Sequence, residues 1–267
     1  MKDKIFKIYN SYINADPTLK NKTVMLMIEG LGNYAGEQAK KSNNLHPKGR
    51  MGAVFAIITK NEELFYTSYA STLPDIPMGD AKYNSGSQTP TLCKGIYKAY
   101  SKLHRGYPAM ELGLHRECVP VIRNTGVSVS SGINIHQRPL NDYSNAATSA
   151  GCLTILGSKI NRMLVKLNVI SNNGFIGEGH YIGRLIVDRS CIPQELQQLY
   201  KKVYGQYYSK VFNTNAKIEV DNIPKWQLDG FNEVVEKGII DTPDYWKNRL
   251  DKPLTVGEFF AIYNKCV

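Results

Sequence analysis

The chain has 267 residues, of which 42% are hydrophobic and 21% charged, enough for one large domain or a domain with a small appendage. No apolar run approaches the roughly 18–20 residues of a membrane span, so membrane insertion is not expected. A formal net charge of +10 favours anionic partners, namely nucleic acid, anionic lipid or the phosphate-rich polymers of bacterial walls. The basic residues are scattered, with pairs only at Lys40-Lys41 and Lys201-Lys202, which argues against a nucleic-acid arm.

The five cysteines, Cys93, Cys118, Cys152, Cys191 and Cys266, form no CxxC pair, and no histidine cluster completes a zinc set. Neither a metal nor another cofactor is expected. The N-terminus begins basic but has no continuous apolar stretch and no small-residue cleavage site, so a cytoplasmic product without a secretory signal is expected.

In chain order, Ile5, Ile8, Tyr9, Tyr12 and Ile13 recur at helical spacing and predict a short amphipathic helix over 4–13. Residues 24–28 form an apolar run, read as a buried strand, and 30–50 read as loop. A hairpin follows, with strands at 51–58 and 64–70 around Lys60-Asn61-Glu62-Glu63. Residues 71–92 hold Pro74, Pro77 and Pro90 with Gly79 and Gly86 and predict a long connection or flap. Strands are expected at 95–100, 118–122, 163–170 and 184–188. Residues 127–136 give the clearest strand: Val127, Val129, Ile133 and Ile135 alternate with Ser128, Ser130, Asn134 and His136. Period two puts His136 on the polar face. Leu153 and Ile155 likewise alternate with Cys152 and Thr154.

Pro193 opens a helix carrying Leu196, Leu199, Tyr200, Val203, Tyr204 and Tyr207 on one face. A polar linker at 213–225 divides residues 1–212 from a small helical module at 226–267. That module ends on a capping box, Thr255-x-x-Glu258.

The chemistry concentrates in residues 127–155. Cys152 follows a small-residue turn, Ser149-Ala150-Gly151, sixteen residues after His136. A nucleophilic cysteine attacks as a thiolate and needs a nearby base or positive field, together with N–H donors for the oxyanion of an acyl-transfer intermediate. The turn can supply such donors, and His136 can accept the thiol proton. A packing cysteine beside a strand-end histidine would give the same pattern. His46, His104 and His115 read as surface groups, and His180 as a turn residue that could line a cleft. Cys93, Cys118 and Cys191 read as core. The glycines at 174–179 lack the context of a phosphate loop.

The segment Gly132-Ile133-Asn134-Ile135-His136, a loop of about fifteen residues, and Ser149-Ala150-Gly151-Cys152 before Leu153-Thr154-Ile155 resemble the active-site signature of the L,D-transpeptidases. Those cysteine enzymes cut and rejoin peptidoglycan stem peptides. Thr89-Pro90-Thr91 with Gly95-Ile96-Tyr97 is similar to the family's TP-x-G segment, and the likeness spans about 50–190. It implies an α+β fold: a β-rich L,D-transpeptidase-like sandwich with an N-terminal helix and a helical C-terminal module.

By position the likeness implies Cys152 as nucleophile and His136 as base. The amides of Gly151 and Cys152 match the oxyanion donors at the Ser149-Ala150-Gly151 turn. Ala150 stands where a second histidine is common, and Thr154 replaces an arginine often found two residues after the cysteine. Arg138, Asn134, Tyr143 and Thr154 are candidate substrate contacts, Asp142 is another, and Arg138 could supply the missing charge. The implied partners are bacterial peptidoglycan and anionic wall polymers, with no nucleic acid. Lacking a signal, the protein is expected to reach the wall as a phage-type lytic protein released by a holin or carried in a particle. The C-terminal module is similar to S-layer-homology modules and to phage-lysin tails. Two alternatives are a non-catalytic wall-binding or virion protein retaining the fold and, weaker, a basic nucleic-acid-binding protein.

Overall fold

The computed structural model describes residues 1–32, 52–74, 89–114, 117–123, 126–138 and 149–212. All lie in the first of two units into which the chain divides, Met1–Ala216; the second, Lys217–Val267, lies outside the described residues. The expectations for the linker, the C-terminal module, the loop after residue 32, most of the flap, Tyr143, Asp142, His46, His115 and Cys266 fall outside them too.

The described chain is mixed α and β, with one large sheet and a few short helices. Helix α1 (Lys2–Ala15) is followed by β1 (Val24–Glu29), β2 (Ala53–Ile58), β3 (Leu64–Ser71), β4 (Thr91–Leu92), β5 (Gly95–His104) and β6 (Tyr107–Leu112). Then come β7 (Val119–Arg123), β8 (Gly126–Ser130), β9 (Asn134–Arg138), β10 (Leu153–Leu156) and α2 (Gly157–Lys166). The hairpin β11 (Ile170–Ser171) and β12 (Gly174–Phe175), strand β13 (Tyr181–Asp188), and helices α3 (Gln194–Tyr204) and α4 (Tyr208–Phe212) complete it. No described helix is long and apolar enough to cross a membrane.

Eight strands close into a barrel in the order β1-β13-β5-β6-β9-β10-β3-β2, and β4, β7 and β8 form a separate three-stranded sheet. Closure removes the exposed edges that an open sheet would present. Where a two-sheet sandwich was expected, the main sheet thus returns on itself. The alternation of each strand gives one inward cluster, including Met25, Met27, Phe55, Ala99, Met110, Ile135, Leu153, Ile155 and Leu185. A second cluster joins the outer faces of β1 and β2 to Ile5, Ile8, Tyr9 and Tyr12 of α1.

Two strand assignments are corrected. The expected strand at 163–170 is instead the end of α2, a turn and the first residue of β11; Ile160, Met163 and Leu164 of the helix, with Leu167 just past its end, follow the i, i+3, i+4, i+7 spacing and join the inward cluster. The single strand over 127–136 is two, β8 and β9, which belong to different sheets. The break falls at Ser131-Gly132-Ile133, where Gly132 has φ +69°, a conformation that suits glycine. Val129, expected in the core, is 38% exposed, whereas Ile133 and Ile135 are buried.

One end of the barrel is tied by a buried polar clamp. Lys94 Nζ lies 2.6 Å from Asp188 Oδ2, which also accepts from the Tyr12 hydroxyl at 2.9 Å. The Asp188 Oδ1 atom accepts from the Ser190 amide at 2.8 Å. Beside it, Arg189 donates to Thr72 Oγ1 at 3.0 Å and to the carbonyls of Thr72, Leu92 and Val211 at 2.8, 2.8 and 2.9 Å. Thr72 in turn donates from N and Oγ1 to Glu29 at 2.9 and 2.7 Å. Six elements or their ends thereby share one network.

Candidate active site

Strands β9 and β10 run parallel and adjacent, with Leu153 opposite Ile135, Thr154 opposite His136 and Leu156 opposite Arg138. Because Ile135, Leu153 and Ile155 fill the barrel, Asn134, His136, Arg138 and Thr154 share the opposite face. Cys152 sits just before β10, beside the first residue of β9, and is partly exposed. Its sulfur lies 3.5 Å from the Asn134 backbone N, 4.0 Å from Asn134 Nδ2 and 3.9 Å from the Gly132 carbonyl oxygen. The separation of sixteen residues in sequence therefore becomes a neighbouring position across one strand pair. The thiol's hydrogen-bond contacts, however, are with Asn134 and Gly132, and no direct bond to His136 is made.

His136 was expected on an open polar face, but it is only 7% exposed. Its Nδ1 is 2.8 Å from the Gln137 carbonyl oxygen. A carbonyl can only accept, so Nδ1 carries the proton of the neutral ring and Nε2 keeps the lone pair. Burial is the main cause that pushes the His136 pKa down to about 4; the Gln137 bond opposes it, and His104, Arg105 and Arg138 add to it. The ring is therefore neutral through physiological pH and equipped to take a proton. Burial likewise pushes the Cys152 thiol up, against the lowering effect of the Asn134 contacts and of Arg105. The resting pair is a thiol and a neutral imidazole.

The turn before the nucleophile is shaped by its small residues. Gly151 has φ +133°, and a Cβ there would stand 2.7 Å from Pro90 Cγ. Glycine is required on both counts. The contact also joins the Thr89-Pro90-Thr91 segment to the cysteine turn. Ser149, 2% exposed, donates from its hydroxyl to the Cys152 carbonyl. The Gly151 amide, an expected oxyanion donor, is 3.3 Å from Ser149 Oγ and so already engaged, though at a long distance. Ala150 lies in the same turn.

Arg138, a candidate substrate contact, is the last residue of β9 and is 2% exposed. Thr154 is 1% exposed, and among the described residues its Oγ1 has no hydrogen-bond partner; neither has Asn134 Oδ1. Two buried polar atoms without partners thus flank His136 and Cys152, which is costly unless another group completes them.

Sequence reasoning missed His104. Read as a surface group, it ends β5 and stacks on His136, with ring centroids 4.4 Å apart and planes at 16°. Strand β6 lies between β5 and β9, and its small, fully buried Ala109 leaves room for this contact. His104 Nδ1 is 3.3 Å from Asn134 Nδ2, a donor, so it serves as the acceptor. Burial first, and Arg105 second, lower the His104 pKa. The signal available in sequence was its place at the end of a strand, before the Arg105-Gly106 turn.

His180 is exposed, and its backbone bonds to Ser101, away from the cysteine turn. Cys93 is buried as expected, whereas Cys118 and Cys191 are only partly so. Among the described residues no group of three or more His, Cys, Asp or Glu side chains could hold a metal ion.

In comparisons with known proteins, no family model matches the chain, no curated protein matches it, and no solved structure matches it.

Proposed function

We propose that the protein is a cysteine-dependent acyl-transfer enzyme acting on peptidoglycan stem peptides, with Cys152 as nucleophile and His136 as base. The observation that carries this reading is the placement of a partly exposed cysteine at the head of β10, beside a parallel strand that carries a neutral histidine whose Nδ1 proton is held by Gln137. A tautomer fixed with Nε2 as acceptor is what proton transfer from a thiol needs. The resemblance of residues 132–155 to the L,D-transpeptidase signature supplies the substrate class. The formal net charge of +10 suits anionic wall polymers.

In the first step the Cys152 proton passes to His136 Nε2 while Sγ bonds to the carbonyl carbon of the stem peptide. The oxyanion takes N–H donors at the turn, Cys152 and Gly151, the latter exchanging its long bond to Ser149 for the stronger charge-assisted one. The C–N bond breaks as His136 returns its proton to the leaving D-amino acid, which leaves a thioester on Cys152. An amine of a second stem, or water, then attacks the thioester and gives its proton to His136, which returns it to the Cys152 sulfur as the C–S bond breaks, restoring the thiol and the neutral imidazole. Apo active sites are often looser than their complexes, so closure of the Cys152–His136 gap is assigned to substrate binding. Delivery to the wall as a phage-type lytic protein is part of the same proposal.

The test is incubation with purified muropeptides and mass spectrometry of the products. Loss of a terminal D-amino acid, or new cross-links, is expected from the wild type and at least about 10³-fold less from Cys152→Ala and His136→Ala. Full activity in Cys152→Ala would sink the reading. A non-catalytic wall protein would instead bind peptidoglycan equally well in both variants without altering it.

A further inference from the structure

We infer that Arg105, at the tip of the β5–β6 hairpin, is a carboxylate-binding residue of this site, so that the preferred substrate carries a free carboxylate beside the bond attacked. This rests on the function proposed above and names a residue that the motif does not contain.

Arg105 and Gly106 form the two-residue turn, both with positive φ, +52° and +82°, a geometry that fits a tight hairpin. The turn is held by the register of His104 with Tyr107. Directly before Arg105, His104 stacks on His136 and accepts from Asn134, which in turn contacts the Cys152 sulfur. The hairpin tip is thus anchored to the chemistry through two side-chain contacts. Its positive charge reaches the site: it acts in the lowering direction on the pKa of His104, His136 and Cys152 alike.

Two other cations among the described residues, Lys102 on β5 and Arg138 on β9, are not free to take a substrate. Lys102 is paired with Glu178 at 3.1 Å, and Arg138 is buried at 2% exposure. Arg105 is exposed, and among the described residues no carboxylate pairs with it. A guanidinium on a rigid turn suits a carboxylate, which it can grip through two parallel N–H groups. Thr154 cannot provide that charge from its place after the nucleophile, whereas the hairpin brings one in from a different strand pair.

Two experiments on the full chain test this, and the first needs no enzymatic activity. Alkylation of Cys152 by anionic iodoacetate and neutral iodoacetamide is followed peptide by peptide. In Arg105→Gln the iodoacetate-to-iodoacetamide rate ratio at Cys152 is expected to fall about three- to tenfold, with Arg105→Lys between, and the ratio at Cys118 to stay constant. An unchanged ratio at Cys152 overturns the inference, whatever the muropeptide assay gives.

The second compares muropeptides bearing free and amidated carboxylates. Arg105→Gln should raise KM about tenfold for the free acid and leave KM for the amidated substrate within about twofold, with any change in kcat common to both substrates. An equal rise on both substrates also overturns the inference. Full activity in Cys152→Ala would overturn the proposed reaction instead, leaving the alkylation ratio to decide the role of Arg105.

Discussion

The two buried polar regions of this molecule use similar residues to opposite ends. In the clamp, Asp188, Arg189, Glu29 and Thr72 are matched donor to acceptor, and the bonds from Tyr12 to Asp188, Thr72 to Glu29 and Arg189 to Thr72 each tie one element to another. On the outer face of β9 and β10, Asn134 Oδ1 and Thr154 Oγ1 have no partner among the described residues, and the thiol's contacts run from 3.5 to 4.0 Å. Satisfied networks specify structure; unsatisfied ones retain free energy that a ligand can claim. The contrast marks which region serves the fold and which is poised for chemistry.

The largest effect that would break the contrast lies in the clamp. Asp188 is the one partner of Lys94 Nζ among the described residues, and both side chains are 2% exposed. Lys94→Ala should cost about 3–5 kcal/mol in denaturant unfolding, because it leaves a buried charge unmatched, and Lys94→Met with Asp188→Leu should recover most of that. A loss below about 1 kcal/mol would show that the clamp is not what it is taken to be.

Next in size is Gly151→Ala. Its φ of +133° and the approach of Pro90 should cost about 1–3 kcal/mol and displace the cysteine turn, so activity should fall more than stability alone explains. Asn134→Ala is milder, about 1 kcal/mol of stability. It should nevertheless change the alkylation rate of Cys152, since it removes the side-chain amide that faces the sulfur. An unaltered rate would separate Asn134 from the site.

Acid separates the two regions further. Burial raises the Asp188 pKa, but Lys94 and Ser190 together hold it below the usual carboxylate range. A depressed carboxyl contributes stability above its unfolded value, about 3.9, that is lost as pH falls through the folded one. Unfolding free energy should therefore drop below about pH 4, and less steeply in Asp188→Asn. At the site, a His136 pKa of about 4 places the acid limb of kcat/KM there, instead of at the ordinary imidazole value near 6.5. An acid limb near 6.5 would assign the base to another group.

Much of this arrangement was legible in the residues. The periodicity of Ile5, Ile8, Tyr9 and Tyr12 marked α1, and the apolar run after Thr23 marked β1. Gly151 before Cys152 signalled a constrained turn. What alternation could not reveal was the break between β8 and β9. Val129 and Ile133 are four apart, so parity survives the crossing from one sheet to another. Nor could the Met163–Leu167 run be assigned from composition, since short apolar stretches fit helix and strand equally.

His104 and Arg105 were missed because their link to His136 passes over β6. No local pattern encodes a contact between non-sequential strands. The clamp was invisible for the same reason: Lys94 and Asp188 meet only when β13 pairs with β5, two strands far apart in sequence.

The most direct measurement is the intact mass of the protein after brief reaction with muropeptides and an acid quench. The expected result is a peptidyl adduct that maps to Cys152 as a thioester, is released by hydroxylamine, and is absent from Cys152→Ala. Substrate turnover with no such adduct, undiminished in Cys152→Ala, would contradict the assignment of Cys152 as nucleophile.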